Sequence, residues 1–203
     1  ATERYAEAES LPAKSVEKYE ALGAREADPL AYPLDTLAQA LSVNGKHEEA
    51  RRACARNAAL YERLPDITGE DWAYILATKG WIELNAGDCK AADAMFVKAL
   101  AYAERVWTAR DERNIRYLLD CGTSRSALGD YGAAQEFLAR ARALEEKRAK
   151  RGDQQEAYLL LSEAELALAL ARFDEARQKL PPAMEILRKR AAVADLSWAH
   201  LIE

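Results

Sequence analysis

Residues 85–100 read NAGDCKAADAMFVKAL. A turn signal (Asn85, Gly87, Asp88) runs straight into an alanine-rich stretch with helical spacing and one large aromatic, Phe96. The same phrase returns as ALGDYGAAQEFLARAR at 127–142, and more faintly as VNGKHEEARRACARNA at 43–58 and LARFDEARQKLPPAME at 170–185. Aligned on the turn, Gly45, Gly87, Gly129 and Ala171 stand 42 residues apart. Other columns keep the period. Ala50, Ala92, Ala134 and Ala176 follow the turn by five residues, with Ala8 in phase before them. Leu34, Leu76, Leu118 and Leu160 precede it by eleven, and the small residues Ala38, Gly80, Gly122 and Ala164 by seven. An aromatic or its stand-in comes two after it, at Tyr5, His47, Cys89, Tyr131 and Phe173. Cys54, Phe96, Leu138 and Leu180 come nine after it, then Asn57, Ala99, Ala141 and Ala183 at twelve.

Apolar and small residues recur at i, i+3, i+4 and i+7 on both sides of each turn, so each unit reads as two amphipathic helices. The glycine breaks the first helix and the polar residue beside it starts the second. Two helix backbones approach closely only where side chains are short, which pairs the small column of the first helix with the alanine column of the second. On that reading Gly80→Leu or Ala92→Leu overpacks the crossing and costs roughly 1–3 kcal/mol. One hairpin cannot bury its apolar faces alone, and stacked neighbours complete the core. The expected fold is all-α, a right-handed superhelical solenoid of antiparallel helix hairpins.

The order of small column, turn glycine, aromatic, alanine, large apolar and second alanine resembles the tetratricopeptide repeat, most closely in TKGWIELNAGDCKAADAMFVKAL and CGTSRSALGDYGAAQEFLARA. The 42-residue period looks like the longer repeats of kinesin light chains and their bacterial relatives. The resemblance implies a single solenoid domain over 1–203, with a partial repeat at 1–29, repeats at 30–69, 70–110, 111–152 and 153–193, and a terminal helix at 194–203. Helices are expected within 3–26 and as hairpins at 30–64, 70–107, 111–150 and 153–191. Glu83 and Arg125 stand where the family usually has an apolar or aromatic residue, which implies looser packing there. The fourth repeat lacks the turn glycine. Pro12 and Pro181–Pro182 are expected to kink or restart their helices. The phase at both ends makes the chain read as a piece of a larger protein, and the resemblance implies a bacterial one.

The remaining chemistry is mostly exclusion. The chain has 203 residues, half of them apolar, and a net charge of −5, which argues against direct nucleic-acid or anionic-membrane binding. No apolar run approaches the roughly 20 residues that cross a bilayer, and the start lacks the pattern of a signal peptide. Cys54, Cys89 and Cys121 read as reduced, buried thiols of a cytoplasmic protein. There is no phosphate loop, no Cys-x-x-Cys and no metal spacing around His47 or His200. Neither a catalytic residue, a metal site nor a cofactor is expected, and the chain does not read as an enzyme. The charge run 145–156 reads as a solvated helix end, and Trp72, Trp107 and Trp198 as packing residues.

The resemblance also implies where binding lies. First helices of such repeats line a groove that holds peptide segments. The matching columns here are Tyr32, Tyr74, Arg116 and Tyr158, then Asp35, Ala77, Leu119 and Leu161. Next come Gln39, Trp81, Thr123 and Glu165, then Val43, Asn85, Ala127 and Ala169. The expected peptide-binding residues are Tyr32, Asp35, Gln39, Tyr74, Trp81, Asn85, Arg116, Thr123, Tyr158 and Glu165. Repeating tyrosines suit peptide contacts, being apolar with a polar tip, or pack between successive hairpins. Asp35, Ala77, Gln39 and Trp81 replace the basic clamp by which some relatives hold terminal carboxylates. The partner expected is therefore a peptide or protein with aromatic or aliphatic anchors, and self-association through exposed terminal repeats is a further expectation. Two functions fit: an interaction scaffold, or a ligand- or peptide-sensing module of a bacterial transcription regulator or Ser/Thr kinase.

Overall fold

Each repeat turn reverses the chain by one device. Gly45, Gly87 and Gly129 take positive φ angles of 76°, 87° and 77°, a region open to glycine at no steric cost. The residue after each closes the finished helix, with Lys46 N–H donating to Leu41 O at 2.9 Å, Asp88 to Glu83 O at 2.9 Å and Asp130 to Arg125 O at 2.9 Å. The fourth turn makes the same bond, Arg172 N–H to Ala167 O at 2.8 Å, although its residue is Ala171, held at φ 56°. The missing glycine therefore does not change the turn. Asp88 and Asp130 then cap the following helices through the N–H groups of Ala91 and Ala133.

The computed structural model describes residues 2–22, 27–63, 68–148 and 154–189, with side chains from residue 9, and from residue 30 in the second helix. The expected terminal helix at 194–203, with Trp198 and His200, lies outside them. The described helices are α1 (Thr2–Ala21), α2 (Ala27–Val43), α3 (His47–Tyr61), α4 (Gly69–Asn85), α5 (Cys89–Trp107), α6 (Ile115–Ala127), α7 (Tyr131–Glu145), α8 (Gln154–Ala169) and α9 (Phe173–Lys189). A 3-10 turn at Glu112–Asn114 leads into α6, and the described residues contain no strand. The chain divides into two compact units, Ala1–Val106 and Trp107–Glu203.

In the first unit the seams lie on the small columns. Ala38, Ala50 and Ala92 are fully buried, and a Cβ on Gly80 would collide with the Phe96 ring. Ala38, Leu41, Ala50, Ala53, Cys54, Ala58, Ile75 and Ile82 form one core between α2, α3 and α4, flanked by Trp72. Val16 of α1 joins Leu30, Leu34 and Leu60 in a second. In the second unit a Cβ on Gly122 would stand 2.7 Å from Leu138 Cδ2. Ala157, Leu161, Ala183, Met184 and Leu187 join α8 to α9. The aromatic column is not core: His47, Cys89 and Tyr131 are half-buried and Phe173 is 61% exposed.

Several expectations change. α1 runs through Pro12 and α9 through Pro181–Pro182. Each proline removes one helix hydrogen bond, but packing holds the helix: Pro12 is itself buried with Val16 one turn beyond it, and Ala176, Ala183, Met184 and Leu187 anchor both halves of α9. Glu83 does not loosen its hairpin, because it accepts from Arg51 Nε at 2.8 Å and Nη2 at 2.5 Å, tying α3 to α4. Cys54 and Cys121 are buried, and burial pushes the Cys54 thiol up to about 12, whereas Cys89 is only half-buried. The charge run is not uniformly solvated. Glu145 is fully buried and accepts from Arg148 Nη1 at 2.9 Å.

Candidate peptide-binding face

A helix advances 100° per residue, so Tyr32, Thr36, Gln39 and Val43 share one strip of α2. Glu70, Tyr74, Thr78, Trp81 and Asn85 share one strip of α4. The two strips are bonded to each other. Asp35 Oδ2 accepts from Tyr74 Oη at 2.6 Å and from Gln39 Nε2 at 2.5 Å, while its Oδ1 accepts from Thr78 Oγ1 at 2.6 Å. One turn further along, Asn85 Nδ2 donates to Ser42 Oγ at 2.9 Å.

The expected residues of this unit therefore differ in role. Tyr32 is 76% exposed, and Gln39, Val43 and Asn85 are also exposed. Tyr74 is half-buried with its hydroxyl tethered. Trp81 is half-buried, set edge-on against Phe96 with ring centroids 5.6 Å apart. Asp35 is 2% exposed, so it lies beneath the face and braces it. A buried carboxylate needs several donors to compensate its desolvation, and here all three are neutral side chains. The sequence reading missed Ser42 and Thr78, both 2% exposed. For Thr78 the signal was present, since Thr36, Thr78, Asp120 and Ser162 form a polar column at the 42-residue period.

In the second unit, Arg116 and Thr123 of α6 and Tyr158 and Glu165 of α8 are half-buried. Tyr158 Oη accepts from Gln154 Nε2 at 2.7 Å. Burial pushes the Glu165 carboxyl up to about 7. On the opposite side of α8, Glu163 is also desolvated, but Arg142 and Lys179 bond it and hold its carboxyl below the usual range. That triad ties α7, α8 and α9 together.

Among the described residues no group of three or more His, Cys, Asp or Glu side chains is placed to hold a metal ion. No described helix is long and apolar enough to cross a membrane.

These features define a tetratricopeptide-like helical repeat protein: glycine-turned helix hairpins, packed on small residues, with aromatic and polar strips left on the first helices. Among solved structures the chain is similar to BtubC (BKLC) from P. vanneervenii, with a TM-score of 0.72 and 12% sequence identity over 98% of this chain and 84% of that one. At that identity the likeness establishes the fold. No protein-family model matches the sequence, and no curated protein matches it.

Proposed function

We propose that the chain is a non-catalytic, cytoplasmic interaction scaffold of the long-repeat kind, holding a peptide or protein segment against its first helices. The observation that carries this reading is the α2–α4 face. Tyr32 leaves a large aromatic surface in water at 76% exposure, while Asp35 and Ser42 fix the groups beside it. An exposed aromatic beside immobilised polar groups suits peptide recognition, because little side-chain freedom remains to be lost on binding. Tyr158, Glu165, Arg116 and Thr123 offer a second set of contacts on the first helices of the second unit.

Tyr74 and Trp81 also brace the fold, so removing them tests binding and stability together. Tyr32, exposed and outside the Asp35 cluster, is the cleaner probe. The full chain is screened against a library of short peptides, and affinities of the captured peptides are measured by fluorescence anisotropy. Tyr32→Ala is expected to weaken them about tenfold with helical circular dichroism unchanged. Undiminished affinity in this variant moves the site off this face.

A further inference from the structure

Resting on that reading, we infer that the segment held by the α2–α4 face is basic, contributing arginine or lysine side chains to the aromatic strip. Electrostatic composition carries the inference. α2 has no basic residue, and α4 has one, Lys79. Against it stand Asp28 and Asp35 on α2 and Glu70, Asp71 and Glu83 on α4. Helical phase decides which of these the face presents. Lys79 stands 200° from Trp81 and about 140° from Tyr74 around the α4 axis, on the other side of the helix. Glu83 is also turned away and is neutralised by Arg51. Asp71 is engaged in the capping box with Thr68.

What remains on the strip has one sign. Glu70 is exposed one turn before Tyr74, and Asp35 lies directly under Tyr74 and Gln39. The hydrogen bonds Asp35 accepts from Gln39, Tyr74 and Thr78 all come from neutral donors, so none of them brings a positive charge to the strip. The field of such a carboxylate reaches the rim with little screening, because low-dielectric protein lies behind it. Tyr32, Tyr74 and Trp81 add ring faces, which attract guanidinium and ammonium groups. The chain's net charge of −5 favours the same approach. An acidic segment meets Glu70 and Asp35 with no cation among the described residues of the strip to receive it.

The test uses the full chain and three labelled peptides of one design, a repeat of Arg-Ser-Leu and its analogues with Glu or Ser in place of Arg, followed by anisotropy at low and high salt. The arginine peptide is expected to bind saturably and at least about tenfold more tightly than either analogue, with affinity falling as salt rises. Gln39→Lys, an exposed substitution that sets a cation over Asp35, is expected to weaken it about tenfold. Asp35→Asn does the same where circular dichroism shows the fold retained. Asp174→Asn with Glu175→Gln, on exposed carboxylates of α9, is expected to change nothing. Equal loss in that control, or no binding of the arginine peptide, overturns the inference. Equal or tighter binding of the Glu or Ser analogue, lost in Tyr32→Ala, overturns it while leaving the peptide-binding reading standing. Binding of all three unaffected by Tyr32→Ala removes both.

Discussion

Ala171 occupies the position that glycine fills in the other three repeat turns, and it takes the same left-handed conformation at φ 56°. For a residue with a Cβ that conformation costs roughly 1–2 kcal/mol. The turn persists because the Arg172 to Ala167 bond and the buried Ala167, Ala176 and Ala164 seam require the chain to reverse there. Ala171→Gly relieves the strain but adds about 0.4–1 kcal/mol of unfolded-chain entropy. A net gain of about 0.5–1 kcal/mol is expected, read as a rise of roughly 2 °C in Tm. A lower Tm would mean that Ala171 is unstrained. The glycine columns were legible in the sequence because positive φ selects glycine so strongly. Asp35 was not, because a carboxylate one position from the exposed strip has the same helical phase whether it faces water or a neighbouring hydroxyl.

At the scale of elements, polar braces tie neighbouring helices together at several points. Arg51 on α3 grips Glu83 on α4, Lys46 reaches Glu9 of α1 at 2.7 Å, and Arg142 and Lys179 converge on Glu163. These pairs are partly exposed, so each contributes only modestly to stability. Their use is in register, since a bidentate arginine fixes one crossing of two helices. Arg51→Glu, which sets a new carboxylate between Glu83 across the seam and Glu48 on its own helix, is expected to lower the urea midpoint. Adding Glu83→Arg should restore most of the loss, so that the two effects are clearly non-additive in the double-mutant cycle. Additive effects would show that the pair is incidental. Periodicity gave the helices to within a few residues. The pairing was hidden because its two residues are 32 apart and no other repeat keeps both charges.

Across the whole molecule, helical repeats gain stability from their own hairpins and from nearest neighbours. A core loss in one hairpin should therefore stay local. Leu161 is fully buried and joins Ala157, Ala183, Met184 and Leu187 between α8 and α9. Leu161→Ala is expected to cost about 2–5 kcal/mol. Hydrogen exchange should quicken in α8 and α9 while amides of α2 and α3 keep their protection. Uniform loss of protection along the chain would mean that the molecule unfolds as one cooperative body.

The repeated phrase at 85–100 determined the helices, their turns and their small-residue seams. Those follow from spacing, from the conformational freedom of glycine and from the short reach of alanine, all local properties of the chain. Tertiary structure alone decided what the conspicuous polar residues do. It buried Asp35 under Tyr74, turned Glu83 toward Arg51, and left Tyr32 in water. Helical phase gives only the direction in which a side chain leaves its helix. Whether it meets solvent or another helix depends on which element packs there.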